Sequence, residues 1–179
     1  MSLPQLSDAE IAALIQESIA YLRQQHERYL PLGTPLSSEQ ADTLRPFFPP
    51  AVLADARIVM SQDHPVPNPA FLAQLKERGF PLIVDLHHVN VASFFNVQVL
   101  HSLNDRHLFH GLVHSVQFRI LGVQRAVESY VRGVLKTGLH VTIPFEAHAY
   151  ELDARFAQNP SALFSVEEEV NSWAAAGRY

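Results

Sequence analysis

Residues 105–121 read DRHLFHGLVHSVQFRIL, and this stretch determines how the rest of the chain is interpreted. Apolar residues recur in it with helical spacing, which predicts a central helix. His110 and His114 are four residues apart, so a helix presents both imidazoles on one face, one turn apart. Two histidines at this spacing can bind one metal ion, although core histidines satisfied by hydrogen bonds show the same pattern.

A third ligand is available in the segment IPFE at 143–146. Pro144 suits the first position of a helix, which puts Glu146 in its first turn. If this helix packs beside the central one, two histidines and a glutamate make a three-ligand site with a fourth position open, the layout of catalytic zinc. A carboxylate in a first turn also complements the helix dipole, so Glu146 has a purely structural alternative.

The two segments together resemble a known family. HGLVHSVQF at 110–118, Leu121-Gly122, Tyr130, Gly133 and IPFEAHAYELDARF at 143–156 resemble the zincin metallopeptidases of the gluzincin type. Small bacterial metallopeptidase domains with HELVHVVQ on the helix and IPxE later are the most similar. The resemblance covers about residues 105–157 and implies that His110, His114 and Glu146 bind zinc.

The chain departs from that family at one decisive position. The resemblance implies a glutamate after the first histidine, acting as the general base, and this chain has Gly111 there. A general base typically contributes about 10²- to 10⁴-fold to the rate, so efficient peptidase action is not expected. Glycine also costs about 1 kcal/mol relative to alanine inside a helix, so it is not there for helix stability. Replacement bases can be named by proximity in sequence only: Glu151, His107, His148 and Tyr150.

Other polar residues receive structural interpretations. Asp85, His87 and His88 form a smaller group after a β-prone run and are interpreted as loop residues. His148 is two residues after Glu146, so it is expected to point away from the site. Gln117 has two interpretations, a polar group near the cleft or, more commonly, a solvated side chain.

The chain-wide pattern predicts an α+β fold that is mostly helical, a zincin-like helical bundle with a small β-sheet. We expect one zincin-like domain over 1–179, with a helical N-terminal part at 1–60 and the metal-site core at 105–158. Predicted helices lie at 7–28, 37–44, 68–79, 105–121, 124–135, 144–158 and 165–175. Predicted strands lie at 57–60, 81–86 and 89–100.

Composition narrows the function classes. The 179 residues carry a net charge of −5 without a basic run, which argues against nucleic-acid binding. There are 10 histidines and no cysteine, so imidazole and carboxylate groups must carry any metal or acid–base chemistry. The sequence shows neither a signal peptide nor a transmembrane segment, so we expect a cytoplasmic protein that does not bind membranes.

The sequence therefore supports two hypotheses from different classes. The first is a zinc metallopeptidase-like protein, degenerate at Gly111, which acts as a weak hydrolase or a pseudo-enzyme and binds a peptide or protein ligand. Its metal ligands are His110, His114 and Glu146. The alternative is a non-catalytic, metal-free helical interaction protein whose histidines are structural or pH-sensitive.

Overall fold

A computed structural model describes residues 4–80, 85–138 and 140–179. About 63% of the chain is helical and three strands form a small sheet, which confirms the predicted α+β, mostly helical class. The helices are α1 (Asp8–Tyr29), α2 (Ser38–Leu44), α3 (Pro50–Asp55), α4 (Ala70–Glu77), α5 (Asp105–Thr137), α6 (Pro144–Gln158) and α7 (Val166–Ala175), with 3₁₀ turns at Leu30–Leu32 and His140–Thr142. The strands are β1 (Arg57–Met60), β2 (Val91–Phe94) and β3 (Val97–Leu100). In the described ranges, none of the helices is both long and apolar enough to cross a membrane.

Local capping chemistry sets most helix starts. The Ser7 hydroxyl accepts from the Glu10 N–H while the Glu10 carboxylate accepts from the Ser7 N–H, so the predicted capping box opens α1. Helix α6 starts at Pro144, as predicted. Two predicted caps are displaced by one residue. Asn104, not Asp105, caps α5, and α4 begins after Pro69 because the Asn68 side chain bonds Asp85 and the Leu86 N–H instead.

Helix α5 is two helical segments separated at Gly122. This glycine has φ 73° and ψ 157°, a conformation that L side chains rarely adopt, and it bends the chain between 105–121 and 123–137. The prediction that one helix stops there and another follows is confirmed. Gly138, with φ 67°, ends the second segment.

The sheet corrects the strand predictions. Residues 89–100 are not one strand but a hairpin, with β2 antiparallel to β3 around a two-residue turn at Phe95 and Asn96. Phe95 has φ 60° where such turns usually carry glycine, so the sequence contained no ordinary turn signal. Of the predicted strand at 81–86, residues 81–84 lie outside the described residues, and the structure assigns no strand at Asp85 and Leu86.

The sheet lies between α1 and the first segment of α5. Its order is β1-β3-β2, with β1 parallel to β3. Because side chains alternate along a strand, Val97 and Val99 of β3 join a core that includes Tyr29 of α1. Gln98 and Leu100 point the other way, toward α5, where Gln98 bonds Ser115. The sheet thus packs against the side of α5 that carries Ser115.

Candidate metal centre

The first segment of α5 packs beside the start of α6 and brings three sequence-predicted residues together. His110, His114 and Glu146, here called the triad, are 7%, 5% and 6% exposed. Their potential ligand atoms all lie within 4.8 Å of one another. Burial of three ionisable side chains in one place is costly unless each finds a partner, and a cation among them would be one such partner.

The triad distances match a metal site. The Nε2 atoms of His110 and His114 are 3.1 Å apart, and Glu146 Oε2 lies 3.6 Å and 3.4 Å from them, respectively. Two ligands about 2.0–2.1 Å from a tetrahedral ion are about 3.3 Å apart, so all three separations lie within about 0.3 Å of that value. Imidazole nitrogen with carboxylate oxygen is a donor set typical of zinc and of other transition metals.

Both imidazoles are oriented by partners outside the triad. Asp153 Oδ2 lies 2.8 Å from His110 Nδ1, and the same carboxylate pairs with Arg106 at 2.8 Å. Gln117 donates from Nε2 to the Phe145 carbonyl, which leaves its Oε1, 2.7 Å away, to accept from His114 Nδ1. Each ring therefore donates through Nδ1 and directs Nε2 to the centre, an arrangement found at metal-binding histidines.

Glu146 is positioned by a third histidine. His140 Nε2 lies 3.3 Å from Glu146 Oε2, while its Nδ1 lies 3.0 Å from the Tyr130 hydroxyl. Donation from Nε2 to the carboxylate leaves Nδ1 to accept from the tyrosine. His140 is not part of the group whose ligand atoms lie within 4.8 Å of one another, so it supports the triad from outside.

The electrostatics of the triad favour positive charge at its centre. Burial alone would lower the pKa of His110, but hydrogen bonds and charges from Asp153 and Glu146 raise that pKa to about 9. Burial would likewise raise the pKa of Glu146, but the surrounding histidines hold it well below its usual range. The carboxylates that stabilise an imidazolium here would equally stabilise a metal ion.

The space beside Gly111 is filled by a side chain from the sheet. A Cβ at residue 111 would lie 2.4 Å from Oε1 and 3.0 Å from Cδ of Gln98. Gln98 is fully buried, and its amide accepts from Ser93 and donates to Ser115. A Cβ at residue 111 would therefore force this hydrogen-bonded amide to shift, and a longer side chain there would have to displace it.

The structure shows which of the four replacement bases named from the sequence lie near the triad. Glu151 is exposed, and His107 lies at the entrance of the cavity described below, bonded to Asn104. His148 points away from the triad, as predicted, and stacks on Trp173 with ring centroids 3.9 Å apart. Tyr150 is the one that contacts the triad, because its ring lies 4.6 Å from that of His110. The smaller group at Asp85 and His88 is a local ion pair at 2.9 Å, in keeping with a loop role.

Three supporting residues did not follow from sequence reasoning, and a fourth was left open. Asp153, His140 and Tyr130 received no site role. Gln117, for which a place near the cleft was one of two interpretations, is fully buried against His114. Two of them had a usable signal, since Gln117 is three residues after His114 and Asp153 is seven after Glu146, both on the ligand face of a helix. His140 lies in a 3₁₀ turn, where no helical periodicity points to it.

A cavity of about 600 Å³ opens at the triad. Its polar wall carries His110, His114, Glu146, His140, Tyr130 and Tyr150. Strand β2 forms one side, and apolar residues of α1, α4 and the second segment of α5 form the rest. A largely apolar cavity with a few converging polar groups is the ordinary form of a ligand site.

Comparisons of the chain with protein-family models, curated proteins and solved structures found no match in any of the three. Function is therefore inferred from the residues and their geometry.

Proposed function

We propose that the protein binds a divalent transition metal, zinc in the first place, through His110, His114 and Glu146. The observation that carries this proposal is the orientation of the rings: Asp153 and Gln117 accept from Nδ1 of the two histidines, so both Nε2 atoms are directed at Glu146. Two histidines that were merely satisfied core residues would not need the same nitrogen turned toward one carboxylate. A metal held there would supply Lewis acidity, by polarising a carbonyl oxygen of a ligand.

We further propose that the protein is metallopeptidase-like but degenerate, a weak hydrolase or a pseudo-enzyme. Gln98 occupies the space beside Gly111, so no carboxylate base can project from residue 111 in this packing. Loss of a general base lowers a rate by about 10²- to 10⁴-fold. The hydroxyl of Tyr150 and the imidazole of His140 line the cavity and can still donate hydrogen bonds to a bound ligand.

A peptide or protein segment remains the proposed ligand class from the sequence. Among the described residues, β2 is one of the two edge strands and pairs only with β3. Its residues Val91–Phe94 line the cavity. An extended segment could add to this edge by main-chain hydrogen bonds, which would direct its carbonyl groups toward the triad.

Thermal unfolding in the presence and absence of metal tests the proposal. Ligand at about 1,000 times its Kd stabilises a native protein by about 4 kcal/mol. For a chain of this length that raises Tm by about 8–16 °C, at about 2–4 °C per kcal/mol. We expect a chelator to lower the Tm of the untagged protein, zinc to restore it, and a His110→Ala, His114→Ala double variant to respond to neither.

The same samples separate the two functional classes. Casein hydrolysis should be weak or absent in the zinc-loaded protein, and rapid zinc-dependent hydrolysis would contradict the degenerate assignment. A Tm that ignores both chelator and zinc would instead favour the metal-free helical interaction protein.

A further inference from the structure

The cavity extends well beyond the triad into an apolar compartment. Leu14 of α1, Leu75 of α4, and Val127 and Val131 of the second α5 segment line it and are each less than 9% exposed. They belong to one hydrophobic cluster that joins these three helices. This compartment, here called the apolar arm, is formed by α1 and α4, which precede β2, and by the segment of α5 after Gly122.

Polar groups cluster at the triad end of the cavity, and most of the remaining lining is apolar. His140 contacts Glu146, Tyr130 contacts His140, the Tyr150 ring lies against His110, and Arg106 pairs with Asp153. The apolar arm adds leucine, valine and phenylalanine side chains, Phe71 among them. A ligand that satisfies both ends must combine a metal-binding polar head with a sizeable apolar group.

The volume indicates the length of that group. About 600 Å³ lies in the middle of the range occupied by whole drug-sized ligands, so the cavity is too large for the side chain of one peptide residue. A straight aliphatic chain carries no polar group of its own that would need a partner among the apolar side chains of the arm.

We infer that the apolar arm binds the aliphatic chain of a fatty acyl compound whose carbonyl head group lies at the triad. The inference rests on the proposed metal centre, because the head group needs the metal. For that site it names an acyl compound in place of the peptide segment that the sequence suggests. Each methylene buried in the arm should tighten binding by roughly fourfold, as expected for transfer of a CH₂ group from water.

Straight-chain hydroxamic acids test this directly on the full-length, zinc-loaded protein. Calorimetric titration with aceto-, butano-, hexano- and octanohydroxamic acid should show affinity rising by about 16-fold at each two-carbon step, or about 4,000-fold across the series if every methylene is buried. Leu14→Phe and Val131→Phe, which fill the arm, should flatten this dependence. Leu163→Phe is the matched control, because Leu163 is 62% exposed and outside the cavity, and it should keep the full dependence.

Zinc content, measured on every sample, separates failure of this inference from failure of the metal centre. Stoichiometric zinc with affinity independent of chain length would overturn the acyl-chain assignment and leave the metal centre intact. The acyl-chain assignment would also be overturned if glycylglycine hydroxamate, which has no aliphatic chain, bound as tightly as octanohydroxamic acid, or if both arm variants kept the full dependence. A protein without zinc would remove both proposals together.

Discussion

Gly111→Ala is the substitution that best tests how tightly the Gln98 side chain packs against residue 111. Helix propensity alone predicts a gain of about 1 kcal/mol from this change in a helix interior. The structure predicts the opposite sign, because the new Cβ would lie 2.4 Å from Gln98 Oε1 and 3.0 Å from its Cδ. Gln98 would have to move, and it is fully buried.

The cost follows from the hydrogen bonds that the movement breaks. The Gln98 amide accepts from Ser93 at 2.6 Å and donates to Ser115 at 2.8 Å. Two buried polar groups left unsatisfied cost about 1–3 kcal/mol each. After the propensity gain is subtracted, Gly111→Ala should lose about 1–5 kcal/mol, and Tm should fall by about 2–4 °C for each kcal/mol.

A double-mutant cycle measured by urea unfolding isolates the contact. Gln98→Ala removes the obstructing amide, so Gly111→Ala should show only its propensity gain of about 1 kcal/mol in that background. The coupling energy should then equal the hydrogen-bond cost, about 2–6 kcal/mol. Gly133→Ala is the control: it lies on the same helix, but its Cβ would meet Ile143 instead, so its effect should add to that of Gln98→Ala. Stabilisation by Gly111→Ala, or additivity with Gln98→Ala, would refute the packing argument.

Three further predictions concern the support of the triad and the start of α1. Asp153→Leu should weaken zinc binding by about 10- to 100-fold in competition with a chromophoric chelator, and Asp153→Asn, which keeps an acceptor for His110, should weaken it less; equal affinities would contradict the orienting role. His140→Leu should weaken zinc binding more than Tyr130→Phe, without changing the one-to-one stoichiometry, because His140 contacts Glu146 and Tyr130 acts through it; the reverse order would contradict this chain of contacts. The backbone N–H and hydroxyl of Ser7, with Arg78, lower the pKa of Glu10 from 4.5 to about 2, so its contribution to stability is present above pH 4.5 and is lost as pH falls toward 2. Carboxyl titration by NMR should show that pKa rising in Ser7→Ala, and an unchanged value would show that the cap does not act as the geometry indicates.

The predictable parts of the fold are those with local signals. The capping box at Ser7, the proline start of α6 at Pro144 and the break at Gly122 each follow from chemistry within a few residues. The β2–β3 hairpin did not follow, because Phe95 holds a positive φ that glycine or asparagine would ordinarily signal. Tertiary contacts compensate at this position: the Ser115 hydroxyl bonds the Phe95 carbonyl, and the ring packs on Phe118.

In the candidate site, too, the residues with local sequence signals were predictable and the tertiary contacts were not. His110, His114 and Glu146 were predictable because helical spacing and a first-turn position place them, and they do converge. The meaning of Gly111 was not, since the contact with Gln98 joins a helix to a strand and depends on the register of β3. As a consequence, Gly111→Glu alone does not test whether a glutamate at this position can act as a base. Placing a carboxylate there requires a smaller residue at position 98 as well.

Elemental analysis of the purified, untagged protein tests the central claim most directly. Three proteins should be compared after zinc addition and removal of the excess: wild type, the His110→Ala, His114→Ala double variant, and a His87→Ala, His101→Ala control in which the altered histidines are exposed. We predict close to one zinc per chain in the wild type and the control, and none in the triad variant. No bound metal in the wild type, or equal zinc in all three proteins, would contradict the account.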